Sequence, residues 1–199
     1  MNLTLGQGKA LVQFARKAIE GKFTGIRPKA ADELLSIMGL KRGVFVTLHE
    51  GGALRGCIGF PEPVEKLGTA IEKSAHGAAF EDPRFPNLRE TELTRVVVEV
   101  SVLTEPRLIK VSDPEALAKH IPVGRVGLIA ERGNARGLLL PQVPVEQGWD
   151  SQEFLEHTCM KAGLMMDAYK KKGFNLYIFE AQIFTEVGPE GEVVSRKIR

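Results

Sequence analysis

Arg55 and Cys57 stand two residues apart in the segment Leu54-Arg55-Gly56-Cys57-Ile58-Gly59, which follows a Gly51-Gly52 pair. Side chains on a strand alternate between faces, so this spacing predicts a guanidinium and a thiol on the same side. A fixed positive charge beside a cysteine lowers its pKa and makes a thiolate available. Gly56 between them leaves room for close approach. The pair therefore points to a cysteine nucleophile or a ligand-contacting thiol, with Cys57 and Arg55 as catalytic candidates. The competing reading is a small buried cysteine in a packed sheet, with Arg55 at its rim.

A second chemistry-bearing stretch is Asp82-Pro83-Arg84-Phe85-Pro86. Prolines on both sides of Arg84 stiffen the backbone that carries it. Together with Arg55, Asp82 and Cys57 it suits a small anionic ligand, because guanidinium binds carboxylate or phosphate through paired hydrogen bonds. Equally consistent is an Asp82–Arg84 pair that only orders the loop. A nucleophilic cysteine usually needs a histidine base. His49 ends the strand before the cysteine strand, and a two-residue loop puts it opposite Leu54, facing away from Cys57. His76 lies on a helix, and the sequence leaves open whether that face meets Cys57. The run Leu139-Leu140-Pro141-Gln142-Val143-Pro144 ends a strand with two prolines and should leave the sheet. Gln142 and Trp149 then line a cleft beside Arg55 and Cys57, or Trp149 is a helix-packing anchor. Cys159 shares a helical stripe with Leu155 and Ala162 and is expected in the core.

These residues must be positioned by surrounding elements. Leu11, Phe14, Ala15, Ala18 and Ile19 recur at helical spacing and predict an amphipathic opening helix stopped near Gly21. A second short helix is expected from Pro28 to Met38. Val44 to Leu48 and Leu54 to Gly59 form a hairpin across Glu50-Gly51-Gly52. Both strands are apolar on both faces, which predicts central positions. A long helix follows from Pro63 to Phe80, then a strand from Val96 and a short helix at Pro114 to His120. A second hairpin joins Val126–Ala130 to Gly137–Leu140. Asp150 caps a helix running to Lys161, with Glu153 completing a capping box. A last strand spans Leu176 to Phe184, and residues 188–199 are expected to fray. Strands arriving in hairpins between helices of varied length give an α+β fold, a mostly antiparallel sheet covered by helices.

Several of these segments together resemble one family. Leu54-Arg55-Gly56-Cys57-Ile58-Gly59 is similar to the signature of the AMMECR domain family, named after a human chromosomal region. Asp82-Pro83-Arg84-Phe85-Pro86, the pair Glu92-Leu93, the run Leu139–Val143 and Glu146-Gln147-Gly148-Trp149-Asp150 resemble further elements of it in the same order. The resemblance spans roughly residues 45–164. It implies the same α+β class, with two lobes and a cleft between them, and it implies no agreed activity. It does imply possible protein partners, a Memo-type protein or a radical S-adenosylmethionine enzyme, and a conjectured role in gene-expression machinery. The alternative to a ligand-binding or cysteine-dependent protein is thus a non-catalytic interaction module.

Composition narrows the remaining classes. The chain has 199 residues, enough for one domain with a possible smaller second lobe. Its net charge of +2 creates no global field to recruit a polyanion. Short basic runs at Lys170-Lys171-Lys172 and Arg196-Lys197-Ile198-Arg199 come with no reader motif, so nucleic-acid binding is not expected. No apolar run approaches the roughly 20 residues that span a bilayer, and the start lacks a signal-peptide progression. Two cysteines make no disulfide framework, which fits a cytoplasmic protein with free thiols. No histidine or cysteine spacing suits a metal, and no glycine motif suits a nucleotide cofactor.

Overall fold

Gly51 and Gly52 turn the hairpin that carries Cys57, with φ of 58° and 83°. Two successive positive φ values suit a two-residue loop whose twist matches its strands, and glycine adopts them without a steric penalty. Strands β1 (Val44–Glu50) and β2 (Ala53–Phe60) flank it. The computed structural model describes residues 3–196. The chain divides into two compact units, one built from the segment up to Leu103 together with the segment from Gln182, the other spanning Thr104–Ala181.

In the first unit, β1 pairs antiparallel with both β2 and β3 (Val96–Leu103). One face of these strands carries Val44, Val46 and Leu48 from β1 and Val96, Val98 and Val100 from β3, all fully buried. Helix α1 (Leu5–Thr24) and helix α3 (Leu67–Phe80) cover that face, with the single turn α2 (Asp32–Leu35) between them in sequence. Thr4 caps α1, its hydroxyl accepting from Gln7 N–H, and Gly25 ends it in the left-handed conformation. The second helix expected over 28–38 is thus reduced to four residues. Residues 26–31 stay extended or irregular, and 36–39 continue only as turns.

The second unit has its own core around Leu128, Phe154, Leu155 and Cys159. Its strands are β4 (Arg107–Ile109), β5 (Val126–Arg132), β6 (Ala135–Leu139) and the first part of β7 (Phe174–Glu186). β7 pairs antiparallel with β4 and β5, and β5 with β6. Helices α4 (Gln142–Gln147) and α5 (Ser151–Lys161) follow β6. The expected Asp150–Glu153 capping box is present at the start of α5. Pro114–His120 forms a 3₁₀ helix.

Two expectations about the first unit are corrected. β2 is an outer strand, not a central one, with β1 on one side of it. Its apolar character reflects α3 packed on one face and a covered edge rather than two neighbouring strands. The tail is not frayed throughout: β8 (Val193–Arg196) pairs with Ile183–Glu186 of β7. The rest of that tail, residues 197–199, lies outside the described residues.

Helix α3 approaches β2 so closely that a Cβ at Gly56 would overlap the Ala78 carbonyl oxygen. Gly56→Ala should therefore lower stability by about 1–3 kcal/mol, the usual cost of overpacking. Gly39→Ala, with open space around it, should leave the urea midpoint near wild type. Equal midpoints for the two variants would show that the helix does not seat where described.

Candidate functional site

Cys57 on β2 lies directly across from Thr47 on β1, and Thr47 lies across from Glu99 on β3. Val46, Leu48, Val98 and Val100 occupy the helix-facing positions of β1 and β3. Alternation therefore puts Thr47, Cys57 and Glu99 together on the opposite face. The Thr47 hydroxyl donates to Cys57 Sγ at 3.3 Å. Glu99 is buried and accepts from Arg196 Nη1 of β8 at 2.9 Å.

The ladder between β1 and β2 contains a bulge. Leu48 pairs with Gly56 and His49 pairs with Leu54, which leaves Arg55 as the extra residue. The expected His49–Leu54 pairing is present, yet the conclusion drawn from it reverses. β1 is regular against β3, so His49 follows Thr47 onto the same face, and the bulge restores the phase with Cys57. His49 and Cys57 are diagonal neighbours, a relationship that separates residues by about 7–8 Å. Burial, reinforced by Arg196, holds the His49 pKa below its ordinary value, so the ring is neutral at pH 7. Its Nε2 is buried and has no hydrogen-bond partner among the described residues.

Arg55 departs from the two-residue alternation for the same reason. Its guanidinium is buried, and Nε donates to Glu92 Oε1 at 2.9 Å. The guanidinium that acts on the thiol is that of Arg84. Burial pushes the Cys57 pKa up; the Thr47 hydroxyl and Arg84 pull it down, while Asp82 and Glu99 add to the rise. The expected thiolate is therefore a protonated thiol at neutral pH. Low-dielectric burial and two neighbouring carboxylates outweigh a single partly exposed arginine.

Asp82 secures the backbone of Cys57. Its Oδ2 accepts from Cys57 N–H at 2.8 Å and from Arg84 Nη2 at 2.7 Å. Oδ1 accepts from Arg84 Nε at 2.9 Å and Arg84 N–H at 3.1 Å. Arg84 Nη2 also donates to the Cys57 carbonyl at 3.2 Å. On an outer strand these backbone groups lack a neighbour, and the Asp82-Pro83-Arg84 turn supplies one with side chains. The Arg84 contact, then burial working against it, then the Cys57 and Arg84 N–H groups combine to hold the Asp82 carboxyl far below the usual carboxylate range.

Gln142 and Trp149 belong to the second unit. Gln142 begins α4, and its Oε1 is buried without a partner among the described residues. Trp149 stacks on His157, ring centroids 3.9 Å apart and ring planes nearly parallel, and packs against that unit's core. Cys159 is fully buried there, its pKa pushed up to about 11, chiefly by burial. His76 sits beside Glu81 on a solvent-facing part of α3, with Nδ1 to Oε1 at 3.3 Å. Among the described residues no group of three or more histidine, cysteine, aspartate or glutamate side chains is placed to hold a metal. No helix there is long and apolar enough to cross a membrane.

Thr47, Glu99 and Arg196 were not singled out from the sequence. The available signal was Glu99, the lone charge inside Val96-Val97-Val98-Glu99-Val100. An ionisable residue in such a run marks a buried charge with a partner.

An antiparallel α+β fold with a cysteine hairpin braced by an Asp-Pro-Arg turn defines the class of protein. The chain belongs to the AMMECR1 family, whose model matches residues 12–184. It is 49% identical over 198 residues to Protein MJ0810 of Methanocaldococcus jannaschii, covering 98% of each chain. It is 46% identical over 199 residues to Protein MK0488 of Methanopyrus kandleri, covering 98% of this chain and 96% of that one. Among solved structures it matches the uncharacterized protein PH0010 from Pyrococcus horikoshii with a TM-score of 0.85. That pair is 46% identical over 96% of this chain and 97% of the other.

Asp82→Asn tests the brace. A carboxyl whose folded pKa is depressed contributes stability above its unfolded pKa of about 4, lost as pH falls through the folded value. The variant should be about 1–3 kcal/mol less stable than wild type at pH 7. That gap should shrink as denaturation is repeated at pH 4 and then pH 2.5. A gap independent of pH would mean the Asp82 charge is not what holds the turn.

Proposed function

We propose that this protein binds a small molecule beside Cys57, on the face of β1, β2 and β3 turned away from α1 and α3, and acts on it through that cysteine. The observation that carries this reading is the ladder register that sets Cys57 and His49 on one sheet face. Cys57 is a protonated thiol, and His49 is a neutral ring whose Nε2 has no partner among the described residues. A thiol with a proton to lose and an imidazole with an unpartnered nitrogen are the two halves from which a cysteine nucleophile and its base are built. Sγ and Nε2 are not hydrogen-bonded to each other, so a water or a polar group of the ligand carries the proton between them, and the Thr47 hydroxyl and Arg84 stabilise the sulfur as its charge develops.

Arg84 also provides the anchoring charge. Asp82 occupies its Nε and Nη2, while the Arg84 side chain is 54% exposed. A guanidinium oriented in this way by a carboxylate can present its remaining edge to an anionic substituent of the ligand. Because both groups rest neutral, the pair reacts slowly until a ligand lowers the cost of charge separation.

Alkylation of native protein by iodoacetamide, followed by mass spectrometry at each cysteine, tests this assignment. Cys57 should react with a midpoint above the free-thiol value of about 8.5, and Cys159 should stay inert until the protein unfolds. Glu99→Gln should move the Cys57 midpoint down, since it removes a negative charge that raises it. A Cys57 that resists alkylation in the folded state would exclude the nucleophile reading. A midpoint below 8.5 would overturn the electrostatic account of the site.

A further inference from the structure

A hollow of about 360 Å³ in the first unit is lined by Arg55, Pro86, Arg89, Thr91, Glu92 and Arg95. Arg55 comes from the β2 bulge, Arg89 from the loop after Asp82-Pro83-Arg84, and Arg95 from the residue before β3. Arg55 is only 8% exposed, and its Nη1 is buried with no hydrogen-bond partner among the described residues. An unpartnered guanidinium nitrogen is costly to bury, so a group of this kind in a hollow marks a place where an acceptor belongs.

The acidic lining residue does not supply that acceptor. Glu92 Oε1 already accepts from Arg55 Nε, and Oε2 accepts from Arg89 N–H at 2.8 Å. Burial works against the ionised form of Glu92, but Arg55 and the Arg89 N–H outweigh it and keep its pKa below the ordinary value. Glu92 thus fixes the aim of Arg55 and the course of the Arg89 loop. Arg95 is oriented in the same manner by Glu50, Nε to Oε1 at 2.8 Å. The Arg89 guanidinium makes no ion pair among the described residues, and Leu88 beside it is buried, its N–H bonded to Ala79 O at 2.8 Å.

We propose that this hollow binds the phosphate group of a small phosphorylated molecule. Three arginines line it from three separate segments, an arrangement that suits an anion with acceptors on several sides. A planar carboxylate offers acceptors in one plane and satisfies one such fork; a tetrahedral phosphate offers them on all sides. Thr91, also in the lining, carries a hydroxyl that can add a further donor. The volume exceeds what a phosphate alone fills and matches the lower range of small-molecule sites. The ester-bearing remainder of the ligand occupies the rest. This site makes no use of the Cys57 thiol, so it stands or falls separately from the cysteine chemistry.

Isothermal titration calorimetry on the intact protein at low salt tests the proposal with four probes: inorganic phosphate, glycerol 1-phosphate, sulfate and acetate. Saturable binding of phosphate and sulfate is expected, tighter binding of glycerol 1-phosphate, and none of acetate. Arg89→Ala should weaken phosphate binding about tenfold or more, and Arg89→Glu should abolish it. Cys57→Ser should leave it unchanged. Arg89 is exposed, so these variants keep the fold, which circular dichroism verifies. Absence of phosphate binding, or binding indifferent to Arg89, overturns the site. Acetate binding as tight as phosphate overturns the preference for phosphate, and an ester no tighter than phosphate overturns the phosphorylated ligand.

Discussion

One buried carboxylate ties the first unit together. Glu186, at the end of β7, accepts from Arg16 Nε and Nη2 at 2.7 and 2.6 Å and from Val98 N–H at 2.8 Å. Arg16 in turn donates to the carbonyls of Leu93 and Val96 at 3.1 and 2.7 Å. This fork-to-fork pair, with two further Arg16 donors on backbone carbonyls, fixes α1, the start of β3 and the end of β7 against one another. Breaking one side would leave an uncompensated buried charge, a loss of about 3–5 kcal/mol. β3 sets β1 through their ladder, and β1 sets β2. The register that puts Thr47 between Cys57 and Glu99 is therefore inherited from that anchor.

Within this frame the bulge at Arg55 has two consequences for chemistry. It takes Arg55 out of the thiol's surroundings and gives it to Glu92 and the arginine-lined hollow. It also lets His49, opposite Leu54, share a face with Cys57. One inserted residue thus divides a six-residue motif between two environments. Cys57 answers to Thr47, Glu99 and Arg84; Arg55 answers to Glu92. Asp82 makes the first arrangement durable by bonding both the Cys57 backbone and the Arg84 side chain.

Much of the fold was legible because it rests on local signals. The Gly51-Gly52 turn, the Asp150–Glu153 box, the alternating valines of β3 and the apolar stripe of α3 each specify their element within a few residues. The errors arose where the decisive partner is distant. Pro28 to Met38 carries helix signals, yet only Asp32–Leu35 is helical. β2 looked central because its apolar faces do not reveal that Asp82 and Arg84 cover its edge. The tail looked frayed because Val193 and Val194 are few, and only pairing with β7 orders them. Around the thiol, the expected association of Cys57, Asp82 and Arg84 is present as hydrogen bonds. The rise in the Cys57 pKa is not legible in the sequence, because it comes first from burial and is left uncorrected by the bulge that takes Arg55 away, neither of which spacing in Leu54–Gly59 encodes.

β7 runs from Phe174 to Glu186, and the boundary between the units falls inside it, between Ala181 and Gln182. The first unit is thus assembled from both ends of the chain, with Thr104–Ala181 inserted between them. As the chain leaves the ribosome, α1, β1, β2, α3 and β3 emerge long before Glu186, so Arg16 waits without its counter-ion. The inserted unit is continuous in sequence and can close its contacts as soon as it is made. Its folding also shortens the loop that separates the two halves of the other unit, reducing the entropy lost when they meet. The natural order of assembly is therefore from the inside of the sequence outward. The cysteine face, though encoded early, becomes complete only when one of the last strands arrives.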